Sequence, residues 1–407
     1  MDAVDPDDAA YAGRHRPGSP EFRRLNLAMG GAGLAAFGML YSTQPLLPQL
    51  GEDLGVDPTA ASLTVSVTTG ALALLVIPAT ALGVRMGRVR TIKVGLLAAV
   101  VLSFVAALAP TYGVLLGIRG LTGACLAGVV GVAMGHVAAE VHPRGLATAM
   151  GLYVSGNTLG GVGGRLIGSA VVDLGSWRVA VAAVALAAAL ATAAFWWLLP
   201  PQVGEDETTA VRPAHALREL LHTPAVLAVL VVPFVLMGGF VASYNYLTFR
   251  MADEPFALPA AAVGLIFLAY LAGTFSSTFA GRCADRMGRG PVLLVSIVVM
   301  GAGVAITLPD QIVLVVVGLV VLTAGFFGAH SIASGWAPVL GGQHGTRASG
   351  LYVGSYYAGS SIFGAVVGLA WAAGGWGATA AAVGALVVVG LAAATLLVTR
   401  LVEPGTR

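Results

Sequence analysis

Twelve stretches of this chain run for about 20 residues with almost no charge, and an α-helix of about 20 apolar residues is what crosses the hydrocarbon core of a bilayer. The stretches are roughly 25–50, 59–82, 91–109, 112–139, 146–172, 177–199, 224–249, 258–280, 291–308, 311–339, 347–373 and 376–400. Of the 407 residues, 57% are hydrophobic and 10% charged, whereas a soluble domain carries about 25% charged residues. Water cannot solvate a surface so poor in charge, so lipid must. The fold class expected is therefore an all-α membrane protein. The first 23 residues are polar, acidic at Asp2, Asp5, Asp7 and Asp8, then basic at Arg14, Arg16 and Arg23, with Arg24 next. The apolar run that follows is too long for a signal peptide and ends in no small-residue cleavage site, so it reads as an uncleaved first span. Cys125 and Cys283 show no metal spacing, and no disulfide is read between them.

One long polar connector, Pro200 to Thr223, holds Glu205, Asp206, Glu207, Arg212 and Arg218 and divides the spans into two sets of six. The expected organisation is a tail over 1–24, a six-helix bundle over 25–199, the connector over 200–223, a second bundle over 224–400 and a tail over 401–407. The halves repeat. Gly151-Leu152-Tyr153-Val154 recurs as Gly350-Leu351-Tyr352-Val353, and Arg85-Met86-Gly87-Arg88 recurs as Arg286-Met287-Gly288-Arg289. Each pair falls in register with the spans, at offsets of 199 and 201 residues. Two similar bundles with a cavity between them are the architecture of an alternating-access carrier. The formal net charge of +2 decides nothing, because in a membrane the placement of charge matters. With the N-terminus inside, 17 of the 21 Lys and Arg residues fall on the cytoplasmic side. The outer loops hold Arg178 and Arg250, and Arg119 and Arg165 lie inside spans. This bias predicts that both termini are cytoplasmic.

Three strings then carry a family resemblance. Gly281-Arg282-Cys283-Ala284-Asp285-Arg286-Met287-Gly288-Arg289 is similar to the signature of the major facilitator superfamily between helices 2 and 3, here repeated between spans 8 and 9. Arg119-Gly120-Leu121-Thr122-Gly123 resembles the helix 4 motif of the drug:proton antiporter branch. Tyr41-Ser42-Thr43-Gln44-Pro45-Leu46-Leu47-Pro48 resembles the helix 1 signature of a bacterial efflux-permease subgroup of that branch. The resemblance implies two pseudo-symmetric six-helix bundles, a rocking mechanism, proton-coupled export of a small organic molecule and a bacterial cytoplasmic membrane. The first-half loop departs from the pattern, with Val84 in place of the signature's aspartate and Thr80 in place of its glycine. The signature aspartate resembles a latch that holds the halves together when the inner side is shut. By pseudo-symmetry Asp285 would face Arg144 at the start of span 5, while Val84 offers nothing to Arg347. Arg85, Arg88, Arg286 and Arg289 complete this candidate gate.

The candidate cavity is read from periodicity. Span 5 has glycines four apart at Gly156, Gly160, Gly164 and Gly168, a ridge that lets backbones approach and is read as packing. Beside it Tyr153, Asn157, Gly161 and Arg165 share a face, and the 199 offset leads to Tyr352, Tyr356, Ser360 and Gly364 on span 11. In lipid a polar stripe should face protein or water, which places both on the cavity; the alternative is interhelical hydrogen bonding. Span 1 adds Tyr41 and Gln44, and span 7 adds Tyr244, Asn245 and Tyr246. Span 10 adds His330, a structural donor or a proton carrier. Arg119 and Arg165 lie at similar depth in the outer half of the membrane, counting ~1.5 Å per residue. Each costs at least ~2.5–3.5 kcal/mol to bury and so needs a water-filled cavity or carbonyl caps. No Asp or Glu sits mid-span; Glu140, Asp173, Glu52, Asp53 and Asp57 are at helix ends or in loops.

An intramembrane enzyme would need paired acids, a metal cluster or a nucleophile with a base at depth, and none is found. A sensor would carry a signalling domain, and ATP-driven pumping would need a phosphate-binding loop. No cofactor, metal or nucleic-acid partner is expected. The expected partners are lipid, a small-molecule substrate and protons, and the chain is read as a monomer. The alternative within transport is a carrier of a small polar or anionic metabolite without proton coupling, which two unpaired cationic residues would suit.

Overall fold

The computed structural model describes residues 13–203 and 213–401. The acidic start of the N-terminal tail, the connector residues Glu205, Asp206, Glu207 and Arg212, and Arg407 lie outside the described residues. Span 1 is Pro20–Leu40, resumed after a break by Leu47–Leu54. Spans 2 to 6 are Pro58–Met86, Arg88–Ala107, Tyr112–Glu140, Pro143–Val172 and Trp177–Leu198. In the second half, span 7 is Pro224–Ala252. Span 8 begins as Ala260–Gly264, tightens to a 3₁₀ turn over Leu265–Ala269 and continues as Tyr270–Met287. Spans 9 to 12 are Arg289–Ile306, Ile312–Leu340, Gly345–Val366 and Gly368–Leu396, the last extended by a π turn, Leu397–Leu401. A short helix, Pro213–Leu221, lies in the connector.

Several boundaries differ from expectation for local reasons. Span 1 begins at Pro20 and not near 25, because Ser19 accepts a hydrogen bond from the Phe22 amide and proline fits the first helical position. It is not one helix: Pro45 has no N–H for the Tyr41 carbonyl, and the α-helix ends at Leu40. Span 11 stops at Val366 and not near 373, and Gly374 and Gly375 are non-helical inside span 12. The two loop signatures turn at Gly87 (φ 91°) and Gly288 (φ 85°), a left-handed backbone that favours glycine. The repeated Arg-Met-Gly-Arg string is thus a repeated turn.

The start of span 1 at Pro20, the end of the last span at Leu401, the short helix Pro213–Leu221 and the turns at Gly87 and Gly288 share one end of the bundle, called here the terminal face; the turns at Asp57, Thr111, Ser176 and Asp253 form the distal face. Within each half the neighbours correspond. Span 1 packs on spans 5 and 6 as span 7 packs on 11 and 12, and span 4 packs on 2 and 3 as span 10 packs on 8 and 9. The glycine ridge of span 5 lies on span 1: a Cβ at Gly156 would sit 2.5 Å from the Gly30 carbonyl oxygen, and one at Gly164 2.7 Å from that of Gly38. This close contact holds the first half together by backbone proximity and dispersion.

Ten of the spans are long and apolar enough to cross a membrane by length and composition alone; spans 5 and 11 fall short. These are the two that carry the glycines and polar stripes, and both pack within the protein, span 5 on spans 1 and 6 and span 11 on spans 7 and 2. The halves meet along spans 2 and 11 and through the distal parts of spans 1, 5, 7 and 8. Span 5 approaches span 8 along Ala260–Ala269 and diverges from it beyond Tyr270. The halves are therefore joined at the distal end and parted between spans 5 and 8 toward the terminal face.

Candidate functional site

The break in span 1 organises the distal seam. Its last carbonyls, left without intrahelical donors, are met by Arg119 from span 4. Nη1 donates to the Met39 carbonyl at 2.9 Å and to Ser42 Oγ at 3.2 Å. Nη2 donates to the Leu40 carbonyl at 2.7 Å, and Nε to the Thr64 carbonyl of span 2 at 3.1 Å. A cation at the negative end of a helix is favourably placed. Arg119 is 2% exposed and is committed to tying spans 1, 2 and 4 together.

Arg165 is equally buried but has different surroundings. Its Nε donates to Gln44 Oε1 at 2.7 Å, Nη1 to the Gly161 carbonyl at 2.7 Å and Nη2 to the Tyr270 hydroxyl at 3.3 Å. The guanidinium carbon lies 4.4 Å from the ring centre of Tyr41, 4.8 Å from Tyr270 and 5.1 Å from Phe267. Gln44 passes the contact on, its Nε2 donating to Asn245 Oδ1 at 2.7 Å, and Asn245 Nδ2 donates to the Gly364 carbonyl. Gln44 and Asn245 are 201 residues apart, the offset of the loop repeat. Repeat-related residues of the two halves thus bond to each other.

Further bonds cross the same seam. Tyr246 donates to Ser62 Oγ at 3.2 Å, and Ser361 to the Ser66 carbonyl at 2.7 Å. The Asp173 carboxylate accepts from the Ala260 and Ala261 amides, at 3.3 and 2.8 Å, at the start of span 8. Tyr270, Phe267, Ser62 and Ser361 did not stand out in the sequence. The repeat gave no pointer to Tyr270, since 201 residues earlier stands Thr69.

The other candidates separate into layers. Tyr244 is fully buried and shares a hydrogen bond with Thr323 Oγ1 at 2.8 Å. Tyr352 is buried and bonds to His330, 3.0 Å from Nδ1 and 3.3 Å from the carbonyl. Tyr153 is buried on span 5, and Asn157 is half-buried against Gly33 of span 1. Tyr270, Phe327, His330 and Tyr356 are half-buried. They stand in front of a buried aromatic layer of Phe240, Tyr244, Phe267 and Phe326.

On the terminal face, Arg144, Asp285, Arg286 and Arg85 are exposed, and Arg88, Arg289 and Arg347 are half-buried. Asp285 forms no ion pair among the described residues. The expected latch belongs to a state with this side shut, and here spans 5 and 8 are apart. The buried Glu140 instead ties the N-terminal tail to the segment that follows span 6. It accepts from the Val203 amide at 2.9 Å and lies 3.7 Å from His15 Nε2, while the His15 amide donates to its carbonyl.

Residues 28–259 match the Major Facilitator Superfamily. The chain belongs to that superfamily. It is 38% identical to the inner membrane transport protein YnfM of Escherichia coli (strain K12) over 390 residues, 94% of this chain and 93% of the relative. It is 34% identical to YybF, an uncharacterised transporter of the superfamily from Bacillus subtilis (strain 168), over 89% of this chain and 90% of the relative. Among solved structures, the nucleoside transporter NupG superposes with a TM-score of 0.74 at 15% identity, covering 92% of this chain and 99% of that one. A bacterial homologue of the lysosomal transporter Spinster superposes with a TM-score of 0.70 at 16% identity, covering 94% and 95%. The superfamily fold, implied by the resemblance of the signature strings, is the fold observed. The chain is a multi-pass membrane protein and a secondary transporter, not an enzyme.

Proposed function

We propose that this transporter works by alternating access, with a terminal face that is cytoplasmic, and that it exports a small organic molecule from a bacterial cell in exchange for protons. One observation supports the access mechanism above others: four side-chain bonds join the halves along the distal seam, while spans 5 and 8 part toward the terminal face. That is the geometry of a carrier open to the side bearing its termini. The halves 25–199 and 224–400, joined by the connector 200–223, are the bodies that rock. The Arg165–Gln44–Asn245 chain is the distal gate, and Asp285 with Arg144 is the latch that forms when the cytoplasmic side closes.

Export and proton coupling rest on the likeness of the span 1 string and the span 4 motif to the antiporter branch. His330, half-buried in the aromatic wall with Nδ1 at 3.0 Å from the Tyr352 hydroxyl, is the group assigned to carry the proton. Proteoliposomes loaded with a pH-sensitive dye test this. Candidate solutes should drive proton flux through the wild type and not through His330→Gln. Solute uptake that ignores an imposed pH gradient would favour the second reading, an uncoupled carrier of an anionic metabolite, to which the unpaired charge of Arg165 lends support. Orientation is tested separately: a single cysteine at Asp253 should label from outside the cell and one at Arg90 should not.

A further inference from the structure

We propose that Arg165 is the anion subsite of the substrate site and that the substrate is a carboxylate with a flat aromatic body. This rests on the opening between spans 5 and 8 being the substrate route. The buried arginines of the described structure are Arg119, Arg165 and Arg250. Arg119 faces the carbonyl end of a helix. Arg250 binds the carbonyls of Thr307, Leu308 and Pro309 and pairs with Asp310 at 2.7 Å. Arg165 has neither kind of partner. Its acceptors are a side-chain amide, a mid-helix carbonyl and a tyrosine hydroxyl, and among the described residues no acid pairs with it. Three of its five N–H groups are accounted for, so a pair remains for a ligand.

A carboxylate supplies what this site lacks, a formal negative charge and two oxygens for a forked donor. The route to it runs past Tyr270. That residue is half-buried, and its bond to Nη2 is the longest of the three at 3.3 Å. Turning its hydroxyl aside gives the ligand access to the guanidinium. Gly161 keeps the space open, since a Cβ there would stand 3.2 Å from Nη1.

The body of the ligand is read from the wall. Tyr270 stands 5.9 Å from Phe327, Phe327 6.5 Å from His330, and His330 4.9 Å from Tyr356, ring centre to ring centre. These four half-buried rings offer π faces and edges for a flat partner. Hydroxyl-rich ligands find less here, because the Tyr352 hydroxyl and His330 Nδ1 are occupied with each other. Gly273 lets the Phe327 ring lie against the span 8 backbone, where a Cβ would come within 2.6 Å of its Cγ.

The test uses purified full-length protein and calorimetric titration with 1-naphthoate, its neutral analogue 1-naphthamide, and gluconate. Naphthoate should bind at least tenfold more tightly than either of the others. Arg165→Gln should abolish the preference for naphthoate over naphthamide, and Phe327→Ala should weaken naphthoate at least fivefold. The comparison of the three probes on the wild type stands even if a variant fails to fold. Equal binding of naphthamide, absence of naphthoate binding, or unchanged naphthoate affinity in folded Arg165→Gln overturns the proposal. Spin-label distances across the two faces test the opening without any ligand. An opening that exists but takes no naphthoate sinks only the substrate class, whereas a protein that never opens sinks both.

Discussion

Replacing Asn245 by leucine isolates one bond of the distal gate. Gln44 and Asn245 are both fully buried, come from opposite halves and bond at 2.7 Å, so opening the distal face must separate them. Leucine keeps the same branched shape but leaves Gln44 Nε2 without its acceptor. A lost buried bond is worth about 0.5–1.5 kcal/mol, and an unmet buried donor costs about 1–3 kcal/mol. The second bond of Asn245, to Gly364, lies within its own half and so affects both states alike. A net change of about 2 kcal/mol against the distal-closed state alone moves the equilibrium about 30-fold. Spin labels at Glu52 and Asp253, with Cys125 and Cys283 replaced by alanine, report it by double electron–electron resonance. The long-distance population should rise strongly in Asn245→Leu. An unchanged distribution in a folded variant would remove this bond from the gate.

Three further outcomes follow from packing and charge. Arg119→Gln should lower stability by more than about 3 kcal/mol, seen as lost folded protein on size exclusion, because several charge-assisted bonds to buried carbonyls go at once; Arg165→Gln should remain folded. Gly160→Leu should prevent assembly of the first half, since even a Cβ there collides with the Leu34 backbone, beyond the ~1–3 kcal/mol of ordinary overpacking. Asp285→Asn should favour the state open at the terminal face by about 1 kcal/mol, and Asp285→Arg with Arg144→Asp should partly restore the balance, read from distances across that face.

Much of the fold was legible because lipid imposes it: span length, the polar connector and the doubled loop signature are one-dimensional signals. The two arginines show where legibility ended. In the sequence Arg119 and Arg165 are alike in type, depth and lack of a nearby acid. What separates them is the break in span 1 at Tyr41–Thr43, which hands the carbonyls of Met39 and Leu40 to Arg119 and none to Arg165. The proline that causes the break was visible, but the helix facing those carbonyls was not. Tyr270 was hidden for a different reason. Its importance comes from a contact between halves, and a residue without an aromatic counterpart in the other half leaves no trace in the repeat.

The central claim is that closing one face opens the other. Cysteines at Thr148 on span 5 and Phe279 on span 8, both exposed where those spans part, can be joined by a cleavable bismaleimide linker. The distal distance between labels at Glu52 and Asp253, the labels introduced as spectroscopically orthogonal unnatural amino acids, is then measured before linking, after it and after cleavage. Alternating access predicts a distal distance that lengthens on linking and returns on cleavage; a distal distance indifferent to the state of the terminal face would contradict it.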